Sequence, residues 1–373
     1  MPEATTVLIA AVAARALAAS ARRGGYAPLV ADCFGDQDTV AAAHAHIRLP
    51  RGAARAMRSE HVIDALASLA AVREPAGIVC GTGFEDCPEV LAAIARRWRL
   101  LGNGPDVVAR IKDPLAFAKL CRDCEIAHPE TSLSRPADPR DWLMKRSGGA
   151  GGQHIRAAAH SDTAADGFYF QRRVEGRSVS ALVLADGRRA MVLGFSAQWS
   201  SPAPQRPFRY GGAVQPAPLE PAAAAAMSAA VQRLVPAIPL VGLNSADFLV
   251  AENGIQLLEI NPRPGATLDI FEPSSDSIFA MHVAACEGIL PARAPSYDQA
   301  KASAIVYAER EVVALPARAW PAWTADRPVA GACFAAGEPL CTVLACAASA
   351  TSARALAQRR AEMILAGTKA GSA

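Results

Sequence analysis

NSADFLVAENGIQLLEINPRPG, residues Asn244 to Gly265, reads as two strand-like runs joined by a tight turn. Asp247 to Ala251 and Ile255 to Ile260 flank Glu252-Asn253-Gly254. A three-residue hairpin loop favours a residue able to take positive φ at its third position, where Gly254 stands. That turn predicts Ala251 opposite Ile255 and hence Asp247 opposite Glu259. Like charges facing each other across a sheet cost up to about 1 kcal/mol, so the pairing asks for a cation. Asn261 and Arg263 continue on the Glu259 face, because side chains two apart point the same way. Two carboxylates and an amide oxygen on one patch are hard oxygen ligands of the kind Mg²⁺ takes when substrate phosphates complete its shell. The competing reading is a surface hairpin with solvated acids.

Upstream, the strand-like run Trp142-Leu143-Met144-Lys145-Arg146 leads straight into Ser147-Gly148-Gly149-Ala150-Gly151-Gly152. Glycines let the backbone approach a ligand closely, and successive N–H groups can cradle an anion. This is not a Walker A loop, since no Gly-Lys-Ser/Thr closes it. Nor is it a dinucleotide fingerprint: the lysine precedes the glycines, and Ile155-Arg156 reads as a second strand. Taken singly the run is equally a plain turn; its place between a lysine and the acid hairpin gives it weight.

In that order, Lys145, the loop Ser147 to Gly152, the strand end Gln171 to Val174 and Asp247…Glu259-x-Asn261-x-Arg263, the sequence resembles the ATP-grasp enzymes. By motif the resemblance spans Lys112 to Arg263, and by general layout nearly the whole chain. It implies an ATP-grasp architecture, α/β overall and α+β around the nucleotide, preceded by a parallel-sheet domain. It implies ATP and Mg²⁺ as cofactors, the metal held by Asp247, Glu259 and Asn261. Lys145 and Lys112 would neutralise phosphates under the loop formed by Ser147, Gly148, Gly149, Gly151 and Gly152. Gln171, Arg172 and Val174 would border the adenine, and Arg263 would join Lys145 as a catalytic group. Two positions depart from the family's pattern. Gln171 stands where many relatives carry a glutamate, although its amide oxygen can accept the same hydrogen bond. The acid that usually binds ribose is replaced by Ser178, leaving either Ser178 or Glu175 for that task.

The closer phrasing, Phe34-Gly35-Asp36-Gln37-Asp38-Thr39, Gly83-Phe84-Glu85-Asp86 and Asp326-Arg327-Pro328, is similar to a branch described as predicted carboligases related to biotin carboxylase. Some of that branch accompany methanopterin- and methanofuran-type cofactor pathways. The resemblance implies an ATP-dependent carboxylate–amine ligase acting through an acyl phosphate on a small-molecule acid and amine. A biotin-carboxylase-like carboxylase or a small-molecule kinase would share every phosphate residue, and a non-catalytic nucleotide-binding module is the alternative outside enzymes. A nicotinamide oxidoreductase is excluded, because Ala13-Ala14-Arg15 stands where its glycine fingerprint would be.

Composition agrees. At 373 residues, with 51% apolar and 20% charged residues, the chain suits two or three globular domains. A net charge of +3 predicts no nucleic-acid partner, and no apolar run reaches the roughly 18 residues that span a bilayer. Nine cysteines without disulfide-like spacing predict a reducing, cytoplasmic setting. Cys121-Arg122-Asp123-Cys124 falls on a helix started by Asp113-Pro114 and reads as incidental. A homodimer is left open.

Three regions follow. Residues 1–108 alternate strands (Val7 to Val12, Leu29 to Cys33, Gly77 to Cys80, Leu100-Leu101) with helices, predicting a parallel sheet; 109–300 hold the nucleotide motifs; 301–373 form a small α/β region packing on them. Ligands collect at the carboxyl ends of parallel strands, which brings Asp36, Glu85 and Arg15 forward as substrate residues. Glu85 and Asp36 suit an ammonium group and Arg15 a carboxylate. The alternatives are a helix cap near Asp86 and an ordinary surface arginine.

Overall fold

Strands β1 (Thr6–Ala11), β2 (Ala27–Asp32), β3 (Ala45–Arg48) and β4 (Ile78–Cys80) form a parallel sheet in the order β3-β2-β1-β4. Every residue of β1 and β2 is buried, as expected of apolar runs covered by helices on both faces. The computed structural model describes residues 3–50, 57, 60–163 and 165–370. Edge strand β3, sequence AHIR and partly exposed, has no apolar run to announce it. Leu100 makes only a single parallel bridge to Ile78, so the strand expected there is one residue pair. Helices Arg15–Arg23, Gln37–Ala42, Glu60–Val72 and Pro88–Ala95 cross between or follow these strands.

Helices Pro105–Lys112 and Pro114–Asp123 then lead into the nucleotide region. Asp113 caps the second, its side chain accepting the Ala116 N–H at 2.7 Å. A small antiparallel sheet follows, with β5 (Thr131–Ser132), β6 (Trp142–Arg146), β7 (Arg156–Ala157) and β8 (Phe168–Arg172) in the order β5-β8-β6-β7.

The largest sheet contains β9 (Arg177–Asp186), β10 (Ala190–Ser200), β11 (Tyr210–Gln215), β12 (Val241–Ala251), β13 (Gly254–Asn261), β14 (Ala300–Tyr307), β15 (Thr324–Ala325) and β16 (Pro339–Ala347). Its order is β13-β12-β9-β10-β11-β14-β16-β15, antiparallel throughout. The strands of 301–373 therefore continue the same sheet, with helix Ala350–Ala370 packed on β14 and β16. Alternation along β9 explains how one strand serves two cores. Val179, Ala181, Val183 and Ala185 face helices Pro114–Asp123 and Pro221–Leu234. Leu182 and Leu184 face the other way, into a core shared with β1, helix Arg15–Arg23 and helix Ile278–Cys286.

The acid hairpin differs from its expected turn. Ala251 pairs with Gly254, so the loop is the two residues Glu252-Asn253, and Phe248 faces Leu257. A bulge at Leu258 then adds one residue to β13, and Asp247 lands opposite Glu259 after all. Leu257 and Ile260 both enter the same core, a spacing that alternation forbids and a bulge allows.

Candidate active site

The polar face of that hairpin looks into the cleft. Asp247 sits between Glu259 on β13 and Ser180 on β9. Asn261 donates through Nδ2 to Asp247 Oδ2 at 3.0 Å. Lys112, ending its helix, donates to Asn261 Oδ1 at 2.9 Å and lies 3.6 Å from Glu259 Oε2. Desolvation and then the Glu259 charge push Asp247 up to about 6. Desolvation also opposes the Glu259 charge, but Lys112, Lys145, His154 and Arg263 together hold it below the usual carboxylate range. The pair titrates as a unit, and the lysines decide the sign at Glu259. Among the described residues no three His, Cys, Asp or Glu side chains are placed to hold a metal by themselves. Two carboxylates and an amide oxygen in one cleft instead suit a cation whose shell is completed by phosphates.

Lys145 comes from β6 and Gln171 from β8. Leu143 pairs with Gln171 and Lys145 with Tyr169, so Lys145 and Gln171 are diagonal neighbours on one face. Lys145 Nζ donates to Gln171 Oε1 at 2.6 Å and is buried. Burial pulls its pKa down, against the charges of Glu259 and Asp247. The Gln171 oxygen expected at the adenine is thus engaged by Lys145, with its Nε2 end toward His128 and Thr131 at 3.5 Å. The backbone N–H of Arg172 is bonded to Glu130 O. Val174 lines an open depression with Glu175, Gly176 and the hairpin tip. Ser178 donates to Gln198 Oε1 at 3.3 Å, and Gln198 Nε2 reaches Asp247 Oδ1 at 3.5 Å. Ser178 therefore belongs to the polar surface that carries the acids.

The glycine-rich loop lies across the mouth of this cleft. Ser147 N–H donates to Gly167 O, and the Tyr210 N–H donates to Gly151 O at 2.9 Å. Two glycines are required by close approach. A Cβ on Gly148 would fall 2.8 Å from the Asp86 Cα, and one on Gly152 would fall 2.0 Å from Phe208 O; both have positive φ. Gly149 rests against the His154 ring. Arg146 pairs with Asp86, which ties the start of the loop to the first domain. The helix Pro88–Ala95 accordingly begins at Cys87 with no side-chain cap, so the capping alternative near Asp86 does not hold.

On the substrate side, Arg263 donates through Nε to Glu85 Oε1 at 2.7 Å, and the Gly83 N–H donates to Glu85 Oε2 at 2.7 Å. Glu85 is buried, and burial opposes its charge, yet Arg263, Lys112 and the Gly83 N–H hold its pKa below normal. Both its oxygens are committed, so it orients Arg263. Arg15 is likewise committed: it pairs with Asp269 and donates to Asp326 Oδ1 at 3.0 Å. It is buried and paired, so it is not an ordinary surface arginine. Asp36 lies beside it, buried. Gln198, Tyr210 and Asp269 were not anticipated, because each comes from a segment without a motif of its own; Asp326 stood in the phrase Asp326-Arg327-Pro328 but without an assigned role.

Residues 111–267 match the family model of the ATP-grasp domain. Solved structures share the fold over nearly the whole chain. Biotin carboxylase from Campylobacter jejuni aligns with a TM-score of 0.72 and 15% identity over 94% of this chain and 89% of that one. The biotin carboxylase domain of 2-oxoglutarate carboxylase from Hydrogenobacter thermophilus, a dimer with MgADP and bicarbonate, gives 0.71 and 12% over 93% and 87%. N5-carboxyaminoimidazole ribonucleotide synthetase from Thermotoga maritima gives 0.68 and 13% over 96% and 98%. No curated relative matches the sequence. The chain carries an ATP-grasp domain and shares the fold of these proteins, with a parallel four-stranded sheet ahead of that domain. The ATP-grasp domain itself occupies 111–267. Among the described residues no helix is long and apolar enough to cross a membrane.

Proposed function

We propose that the chain is an ATP-dependent carboxylate–amine ligase. The observation that carries this is the convergence of Lys112, Lys145, Asp247, Glu259, Asn261 and Arg263 on one cleft under a glycine-rich loop. Lys145 and Lys112 bind phosphate oxygens, and the loop Ser147 to Gly152 covers them with backbone N–H groups. Asp247, Glu259 and Asn261 hold Mg²⁺ with ATP, which offsets negative charge during phosphoryl transfer. A substrate carboxylate oxygen attacks the γ-phosphorus and ADP leaves, giving an acyl phosphate. The amine nitrogen attacks the acyl carbon, phosphate leaves, and the ammonium proton passes to solvent. Arg263, aimed by Glu85, stabilises the transferring group. Adenine borders Gln171, Arg172 and Val174, and ribose meets Ser178 or Glu175.

A second reading has bicarbonate as the acid, favoured by the carboxylases that share the fold. Phosphate release with MgATP is the test, against carboxylates with and without amines, glutamate and one-carbon cofactor precursors included. Dependence on both an acid and an amine supports the ligase; dependence on bicarbonate alone replaces it. No release with any acceptor, although MgATP binds, would leave a non-catalytic nucleotide-binding module. A homodimer, as in the Hydrogenobacter domain, is checked by sedimentation.

A further inference from the structure

The carboxyl ends of β1 and β2 meet the short helix Leu268–Phe271 and the loop after β15 in a second concentration of charge. Arg15 is at its centre, paired with Asp269, bonded to Asp326 and 3.9 Å from Asp38. Asp32 is fully used: it accepts the N–H groups of Ala14 and Gly35 and lies 2.9 Å from His46 Nε2. Asp38 accepts the backbone N–H groups of Asp326 and Arg327, both at 2.9 Å. That clamp holds Asp326 at φ +54, a left-handed conformation unusual for a residue with a side chain.

Asp36 is the exception. It is 6% exposed, and its carboxylate makes no hydrogen bond or ion pair among the described residues. The charges around it are Asp326, Asp32 and Asp38, with Arg15 the opposing one. Arg15 makes no bond to it; the bonds of Arg15 go to Asp269 and Asp326. A buried carboxylate without a partner is costly, and here it faces further carboxylates. What would neutralise it is a proton or a cation, and a cation seated there would displace the proton. No set of three ligands suited to a metal ion is present among the described residues, whereas an ammonium needs only acceptors around three rotatable N–H bonds. Tyr210 lies between the patch and the phosphate site, with the charges of both Asp247 and Asp269 near its phenol.

We infer that Asp36, with Asp38, Asp269 and Asp326, forms a subsite for a primary alkylammonium group, carried by the substrate at its end remote from the reacting carbon. The link to a substrate rests on the ligase reading; the binding does not. Calorimetric titration of the full chain with n-butylamine and 1,4-diaminobutane tests it, with tetramethylammonium and butyrate as controls and MgATP titrated separately. Both amines are expected to bind and both controls to fail. Asp36→Asn, of the same shape without the charge, should weaken amine binding by roughly tenfold or more and leave MgATP affinity as it was. Asp326→Asn, which tolerates the left-handed backbone, should do the same and decides the matter if Asp36→Asn does not fold. Equal amine binding by wild type and the folded variants overturns the inference. So does absence of amine binding by a wild type that binds MgATP, or equal binding of tetramethylammonium. Failure of MgATP to bind would count against the ligase reading alone.

Discussion

The two acid patches of this protein solve the same electrostatic problem in opposite ways. On the hairpin, Asp247 and Glu259 open into a cleft, and Lys112 and Lys145 lie beside them. Glu259 keeps 39% of its side chain exposed. At the end of the parallel sheet, Asp36 is closed in, and its neighbours already share one arginine. The first patch is balanced enough to stay ionised while it waits for a nucleotide's metal. The second is stable only with its acid protonated or with a cation beside it. Burial alone does not set a carboxylate's state; the number of uncommitted cations nearby does.

The comparison can be broken most forcefully at Glu259. Glu259→Gln is expected to cut ATP-dependent phosphate release by about a hundredfold or more, the scale of losing a group that stabilises transition-state charge. Because the lysines hold that carboxylate ionised, the variant should also melt slightly below wild type. A melting temperature clearly above wild type would mean that repulsion from Asp247 outweighs the lysines. Lys145→Ala comes next. Loss of a buried charged donor costs about 1.5–3 kcal/mol, so MgATP affinity should fall by roughly 10- to 100-fold in calorimetry. Unchanged affinity would remove Lys145 from the phosphate site.

Asp36→Asn sharpens the contrast through its opposite sign. Burial first, then Asp326, Asp32 and Asp38, push Asp36 up to about 8 against the pull of Arg15. The folded state then keeps a proton that the unfolded chain releases near the ordinary carboxylate value. Its contribution to stability falls as pH rises from about 4 to about 8 and is level above. Asp36→Asn should therefore melt higher than wild type at pH 8 and no differently near pH 4, by differential scanning calorimetry. A constant difference across that range would show that Asp36 is ionised throughout. The smallest effect belongs to Asp86→Asn. Its pairing with the partly exposed Arg146 is worth about 0.2–1 kcal/mol, so KM for ATP should rise no more than about fivefold, with kcat nearly unchanged.

The hairpin patch was legible because both acids lie within one supersecondary unit, where alternation and a turn fix who faces whom. The reading survived a wrong turn length only because Leu258 bulges. Lys145 and the glycine loop were legible by adjacency. Cross-chain partnerships were not: Arg146 with Asp86, Arg263 with Glu85 and Arg15 with Asp269 join segments far apart in sequence. The Arg15 patch in particular is assembled from residues 15, 32, 36, 38, 269 and 326; Arg15 and Asp36 were read as strand-end candidates, but nothing in the sequence joined them to each other or to Asp269 and Asp326. The first sheet was read from its apolar strands, and β3 escaped because an edge strand of mixed character carries no such signal. That strands of 301–373 would extend the central sheet depends on pairing partners that local pattern does not name.

The bulge at Leu258 gives the hairpin an uneven tolerance to change. Glu252 and Asn253 lie beyond the last paired residues, so the tip can lengthen without altering which side chains meet below it. Removing Leu258 would turn the bulge into plain alternation, leaving Leu257 and Ile260 on the core side and Glu259 and Asn261 beside Asp247 in the cleft. The segment is thus tolerant in length at two points, the tip and the bulge, a freedom written in counting and not in chemistry.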